Sequence, residues 1–115
     1  MFGLYTALPA SALTISNIQY SATGGASAYT NSRVTVTGIV TYADASGYAL
    51  SDSAGGPWSG IYVIDPFHRP NPGDRVSLEG LVKESATMTV LTTNIANYSV
   101  IATNQAVPLT AARGN

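Results

Sequence analysis

The sequence predicts an all-β fold, a small closed barrel of about seven or eight short strands with an extended N-terminal arm, and three observations carry that prediction. The run Arg33 to Ala43, RVTVTGIVTYA, alternates with the period of a half-buried strand: Val34, Val36, Val40 and Tyr42 share one parity with Gly38, while Arg33, Thr35, Thr37 and Thr41 take the other. Ile39 interrupts the polar face. The same grammar returns at Val76 to Val82, VSLEGLV, against VTVTGIV at Val34 to Val40, with Gly80 standing where Gly38 stood. A glycine inside so β-rich a run marks a bend or bulge, where one strand serves two parts of a curled sheet. Finally, no stretch of useful length carries helical periodicity.

Taken in order, Met1 to Ser16 places Phe2, Leu4, Leu8, Ala10 and Ala12 on one parity and Tyr5, Leu13 and Ile15 on the other. Pro9 argues against a helix through it, which leaves an extended apolar arm over residues 1–16 and a barrel domain over residues 17–115. Thr14 to Tyr20, TISNIQY, reads as a short strand entering the barrel, and Ser21 to Ser32, with Gly24 and Gly25, as a loop. After the first long strand, Asp44 to Gly47 supplies hairpin turn residues. Tyr48 and Leu50 then point inward, and Ser53 to Ser59 forms a loop with Trp58 near its end. In Gly60 to Asp65, Ile61 and Val63 point inward and Tyr62 and Ile64 outward. Pro66 to Gly73 holds three prolines and can be neither helix nor ladder strand. Asp74 opens the second long strand, with Val76, Leu78 and Val82 inward and Arg75, Ser77, Glu79 and Lys83 outward. Strands are expected around Thr87 to Leu91 and Tyr98 to Ile101, and Val107 to Leu109 adds a last edge.

At 115 residues the chain is one domain with room for a real core. It has no cysteine, which excludes disulfides, thiolate metal sites and a cysteine nucleophile. Charged residues make up 10%, with a net charge of -1, far below the roughly 25% of an average soluble domain. Thr, Ser, Ala, Gly and Asn replace them, a surface commoner outside cells, so the expected location is extracellular or at the cell surface. No run reaches the length of a membrane-spanning helix, and Met1 to Ala12 lacks the basic start of a signal peptide.

RVTVTGIVTYA, GYALSD, GIYVID and PGDRVSLEGLVKE together resemble the OB-fold modules found beside secreted bacterial nucleases and phosphatases, over Thr14 to about Ile101. The resemblance implies a five-stranded Greek-key barrel whose first strand bends to join both sheets, which also accounts for Gly38. The chain departs from the pattern in having only the proline-rich loop where a helix would join the third and fourth strands. That end of the barrel is therefore expected to be open.

Phe67, His68 and Arg69, with Trp58 and Tyr62, form the one cluster with the makings of a ligand face, because aromatics plus a cation on the second and third OB strands are where oligonucleotides or sugars stack. The bland reading, that Trp58 and Phe67 cover the open barrel end, outweighs it. Five basic residues in all supply little phosphate neutralisation, so nucleic acid is an unlikely partner. His68 is the only histidine and lies between prolines, which supports no catalytic triad, and no enzyme activity is expected. Asp44, Asp52 and Asp65 stand at strand ends, where carboxylates cap turns, so neither a metal nor a cofactor is expected. Asn97-Tyr98-Ser99 matches a glycosylation sequon, and the many Thr and Ser leave room for attached glycans.

The leading expectation is an extracellular structural subunit whose arm adds a strand to a neighbouring copy, with Phe2, Leu4, Tyr5 and Leu8 as anchors, so that copies join head to tail in a filament. Sixteen extended residues span about 50 Å at ~3.3 Å each, against a radius of gyration of about 13 Å for a domain of this size. The competing expectation is an accessory module that binds nucleic acid or carbohydrate for a secreted enzyme.

Overall fold

The computed structural model describes residues 14–20, 26–56, 58–85, 88–93 and 97–108. Among them run a short helix, α1 (Ile15–Gln19), and six strands: β1 (Arg33–Ala43), β2 (Gly47–Ser51), β3 (Gly60–Ile64), β4 (Arg75–Ser85), β5 (Met88–Thr92) and β6 (Tyr98–Ala102). The sheet order is β1-β2-β3-β5-β4-β6, and a further β1–β4 ladder closes the first five strands into a barrel. The β3–β5 ladder is parallel and the others antiparallel. Residues 1–13 of the expected arm, with Phe2, Leu4, Tyr5 and Leu8, lie outside the described residues.

The two long strands change partners at their glycines. β1 pairs with β4 from Arg33 to Ile39 and with β2 from Ile39 onward, so the hand-over falls beside Gly38. β4 pairs with β6 from Arg75 to Leu78 and with β5 from Leu81, so its hand-over brackets Gly80. A Cβ on Gly38 would stand 2.9 Å from Ile15 Cδ1 and 3.0 Å from the Ser51 carbonyl oxygen, which leaves that bend little room for a side chain.

Parity filled the core as far as Val40. Val34, Val36, Val40, Tyr48, Leu50, Ile61, Val63, Val76, Leu78, Val82 and Leu91 form one buried cluster, each large side chain contributing about 1.5–3 kcal/mol by its burial. Tyr42, expected to share that face, is half exposed instead. The β1–β2 register slips between Val40 and Tyr42, so Thr41 is an extra residue, and one extra residue turns every later side chain to the opposite face.

The expected strand at Thr14 to Tyr20 is a helix. Thr14 and Asn17 make a reciprocal capping box: the Asn17 amide donates to Thr14 Oγ1 and the Thr14 amide to Asn17 Oδ1. The first two helical amides, of Ile15 and Ser16, donate to the Asp52 carboxylate at 3.0 and 2.9 Å, and the Ser16 hydroxyl adds a third bond. Five residues do not hold a helix alone. Here Ile15 and Ile18 are fully buried in the core cluster, and Gln19 Nε2 donates to the carbonyls of Gly60 and Thr89. Ile15 and Ser16 therefore belong with the barrel, on the far side of the boundary expected after residue 16. With Ile15–Gln19 helical and Val107 and Pro108 outside any ladder, six of the seven or eight expected strands are present among the described residues.

Candidate functional site

α1 closes one end of the barrel, where β2 ends and β3 and β5 begin. The opposite end carries the β1–β2 turn and the β3–β4 loop, with Tyr42, Tyr62, Phe67, His68 and Tyr98 gathered about it. The proline-rich loop is tied down: Gly73 donates to the Val40 carbonyl, Val40 donates to that of Asp74, and Pro70 is buried. The open end expected from the missing helix is thus occupied by the loop itself.

Its anchor is Asp65, 2% exposed. Oδ1 accepts from the amides of Phe67 and His68 at 2.8 and 3.2 Å. Oδ2 accepts from the Tyr48 hydroxyl at 2.6 Å and from His68 Nδ1 at 2.8 Å, which puts the imidazole proton on Nδ1. The His68 ring stacks on Tyr98 of β6 with centroids 3.7 Å apart, and Tyr98 meets Tyr48 edge-on at 6.4 Å. Burial first, then the Asp65 bond, pushes the Tyr48 phenol far above its ordinary value. His68 therefore fastens the loop to Asp65 and Tyr98.

On the outer face the register sets Tyr42 of β1, Ala49 of β2 and Tyr62 of β3 in one row. Ala49 is small, so the two tyrosine rings lean together over it, with centroids 6.3 Å apart and planes tilted by 35°. The Tyr62 hydroxyl donates to Asp44 Oδ1 at 2.6 Å, and the same oxygen accepts from the Ser46 and Gly47 amides. The Tyr62 bond, followed by the Ser46 amide, holds the Asp44 carboxyl below its usual range. Burial and the Asp44 bond push Tyr62 up to about 12. At neutral pH Tyr62 thus stands as a protonated phenol beside the Asp44 carboxylate, whose Oδ2 has no hydrogen bond to any described residue.

The structure divides the residues expected to form a ligand face. Tyr62 stands in the row, and Phe67 and Arg69 project from the loop at the same end, Phe67 being 56% exposed and so no cover for the barrel. Arg69 also acts on Asp44 through its charge. Trp58 lies at the opposite end of β3, against Tyr20 at 5.6 Å, with a left-handed φ of 64°. Ser59, Gly60 and Ile61 lie between it and Tyr62, four chain steps that span up to about 13 Å. Sequence reasoning missed Tyr42, because the bulge is silent in the alternation, and missed the long-range partners of Asp65. It did read Asp44, Asp52 and Asp65 as caps. Among the described residues, no group of three or more His, Cys, Asp or Glu side chains is placed to hold a metal ion. No helix there is long and apolar enough to cross a membrane. Compared with known proteins, the chain matches no family model and no curated protein.

Proposed function

We propose that the chain is an extracellular OB-type binding module whose outer face, centred on Tyr42, Ala49 and Tyr62, takes neutral carbohydrate. The tyrosine row is the observation that carries this reading. A closed five-strand barrel with the order β1-β2-β3-β5-β4 matches the architecture implied by the resemblance, and the second and third strands of such barrels carry oligosaccharide and oligonucleotide sites. Between those two ligands the charge decides. An ionised Asp44 beside the rings repels phosphodiesters, and a net charge of -1 supplies no basic groove. Sugar hydroxyls, by contrast, donate to a carboxylate, and the apolar face of a pyranose lies flat on an aromatic ring.

The test is retention on a panel of insoluble polysaccharides followed by calorimetry with the matching soluble oligosaccharides. Tyr42→Ala and Tyr62→Ala are each expected to weaken binding roughly tenfold, about 1.4 kcal/mol, and to leave the unfolding midpoint of the barrel close to that of the parent chain. A chain that retains no glycan, or that binds a labelled oligonucleotide below micromolar with a steep salt dependence, refutes the reading.

A further inference from the structure

The two rings of the tyrosine row do not share a plane. Tyr42, 50% exposed, and Tyr62 stand on β1 and β3 to either side of Ala49, with centroids 6.3 Å apart and planes inclined by 35°. That separation is of the order of one pyranose along a glycan chain, so each ring has room for a sugar of its own. A sugar stacks by laying its C–H face, whose hydrogens are slightly positive, on the negative face of the ring. Two rings inclined by 35° cannot both lie flush against one flat ligand. The angle has its source in the fold. Adjacent strands are rotated by roughly 20–25°, so the two steps from β1 to β3 supply about 40–50°, enough to account for it. On the Tyr62 side it is also latched: the hydroxyl donates to Asp44 Oδ1 at 2.6 Å, and the Ser46 and Gly47 amides hold that oxygen at 2.9 and 3.0 Å.

We propose that the row selects a single glycan chain whose successive sugars turn, the coiled kind formed by α-1,4- or β-1,3-linked glucose, over the flat ribbon of a β-1,4-linked chain. The inference rests on the carbohydrate reading and names the class of glycan that the same face takes. The chain crosses the strands from β1 to β3, one sugar against each ring, and the turn between the two sugars matches the inclination of the rings. Asp44 Oδ2, which bonds to no described residue, accepts from a sugar hydroxyl at the Tyr62 end. A ribbon meets one ring flush and the other on its edge, so it forfeits half of the stacking. A crystalline surface, which cannot bend, forfeits it entirely at one ring.

Calorimetry of the full chain with soluble hexasaccharides tests it, maltohexaose and laminarihexaose for the coiled class and cellohexaose for the ribbon, with sedimentation on crystalline cellulose beside them. One of the coiled hexasaccharides is expected to bind at least about tenfold more tightly than cellohexaose, and at least about tenfold more tightly than glucose, which covers one ring only. Crystalline cellulose should retain nothing. Tyr62→Phe keeps the ring and cuts the Asp44 latch, so the preference for the coiled chain is expected to shrink by at least about threefold, with thermal melts reporting that the variant is folded. Cellohexaose bound as tightly as the coiled chains, retention on crystalline cellulose, or glucose bound as tightly as the hexasaccharides overturns the proposal while leaving the carbohydrate reading in place. An unchanged preference in folded Tyr62→Phe overturns the part given to the latch. A chain that binds neither coiled hexasaccharide also overturns the proposal, and the carbohydrate reading is then decided by the wider polysaccharide panel.

Discussion

The two ends of the barrel are closed by opposite chemistry around the same device. At the helix end Asp52 receives the amides of Ile15 and Ser16, and at the loop end Asp65 receives those of Phe67 and His68. Each carboxylate stands just past a strand and satisfies backbone donors that no ladder reaches. What fills the space differs. Behind Asp52 sit Ile15 and Ile18, an apolar plug, while behind Asp65 sit Tyr48, His68 and Tyr98, a polar and aromatic fastening. The plug fills volume with two isoleucines, and Gln19 beside them bonds the Gly60 and Thr89 carbonyls. The fastening needs every partner, because a buried polar group without one costs more than a missing contact.

The sharpest way to break that comparison is Asp65→Ala. It strips the buried Tyr48 hydroxyl, His68 Nδ1 and two amides of their acceptor at once, and removing one side of a buried polar pair costs about 3–5 kcal/mol. The urea midpoint should fall accordingly, and the Tyr48–Tyr98 contact should be lost from the near-ultraviolet circular dichroism. An unchanged midpoint would mean that the loop is not fastened through Asp65.

At the other end, Ile18→Ala should cost about 2–5 kcal/mol, the transfer term plus the cavity left under α1. Its signature is different in kind: a lower midpoint with the aromatic spectrum of the loop end intact. If Ile18→Ala also disturbs the Tyr48 and Tyr98 signals, the ends are not independent and the contrast drawn between them fails.

The sequence shows the plug and the fastening unequally. The barrel is legible because β1 and β4 repeat one alternating pattern with a central glycine, and period two is the direct mark of a half-buried strand. α1 was hidden, though Thr14 with Asn17 three residues on and Ile15 with Ile18 at helical spacing are its signals in hindsight; seven residues are too few to outvote a strand reading. The tyrosine row was half visible. Tyr62 follows from parity, but Tyr42 is placed by an extra residue that shows only when β1 is set against β2. Asp65 was read as a turn cap, which it is, whereas its bonds to Tyr48 and to the His68 ring that stacks on Tyr98 join residues far apart in the chain, and no local pattern records them.

Titration gives the smallest effects and separates the ends by direction. In acid, Glu84 serves the helix end and Asp44 the loop end. Desolvation raises Glu84, but bonds from Thr89, Ser27 and Thr30 outweigh it and leave its carboxyl below the ordinary 4.5, while Asp44 lies below 3.8. A lowered carboxyl contributes stability that is present above the unfolded value and lost as pH falls through the folded one, so both ends weaken together below about pH 4. In alkali the loop end answers. Tyr48, Tyr62 and Tyr98 are all raised above the ordinary 10, chiefly by burial, with Asp65 acting on Tyr48 and Tyr98 and Asp44 on Tyr62. Between pH 10 and about 12 the unfolded phenols have lost protons that the folded ones keep, so stability falls as pH rises through that window. Tyr48→Phe is expected to lower the midpoint at pH 7, because Asp65 loses a donor, and to flatten the fall above pH 10, because the most strongly shifted phenol is gone. Denaturation midpoints from pH 7 to 12 for the two proteins decide it. Parallel curves would place the alkaline loss elsewhere, and a midpoint unchanged at pH 7 would show that the Tyr48 bond does not hold the loop end.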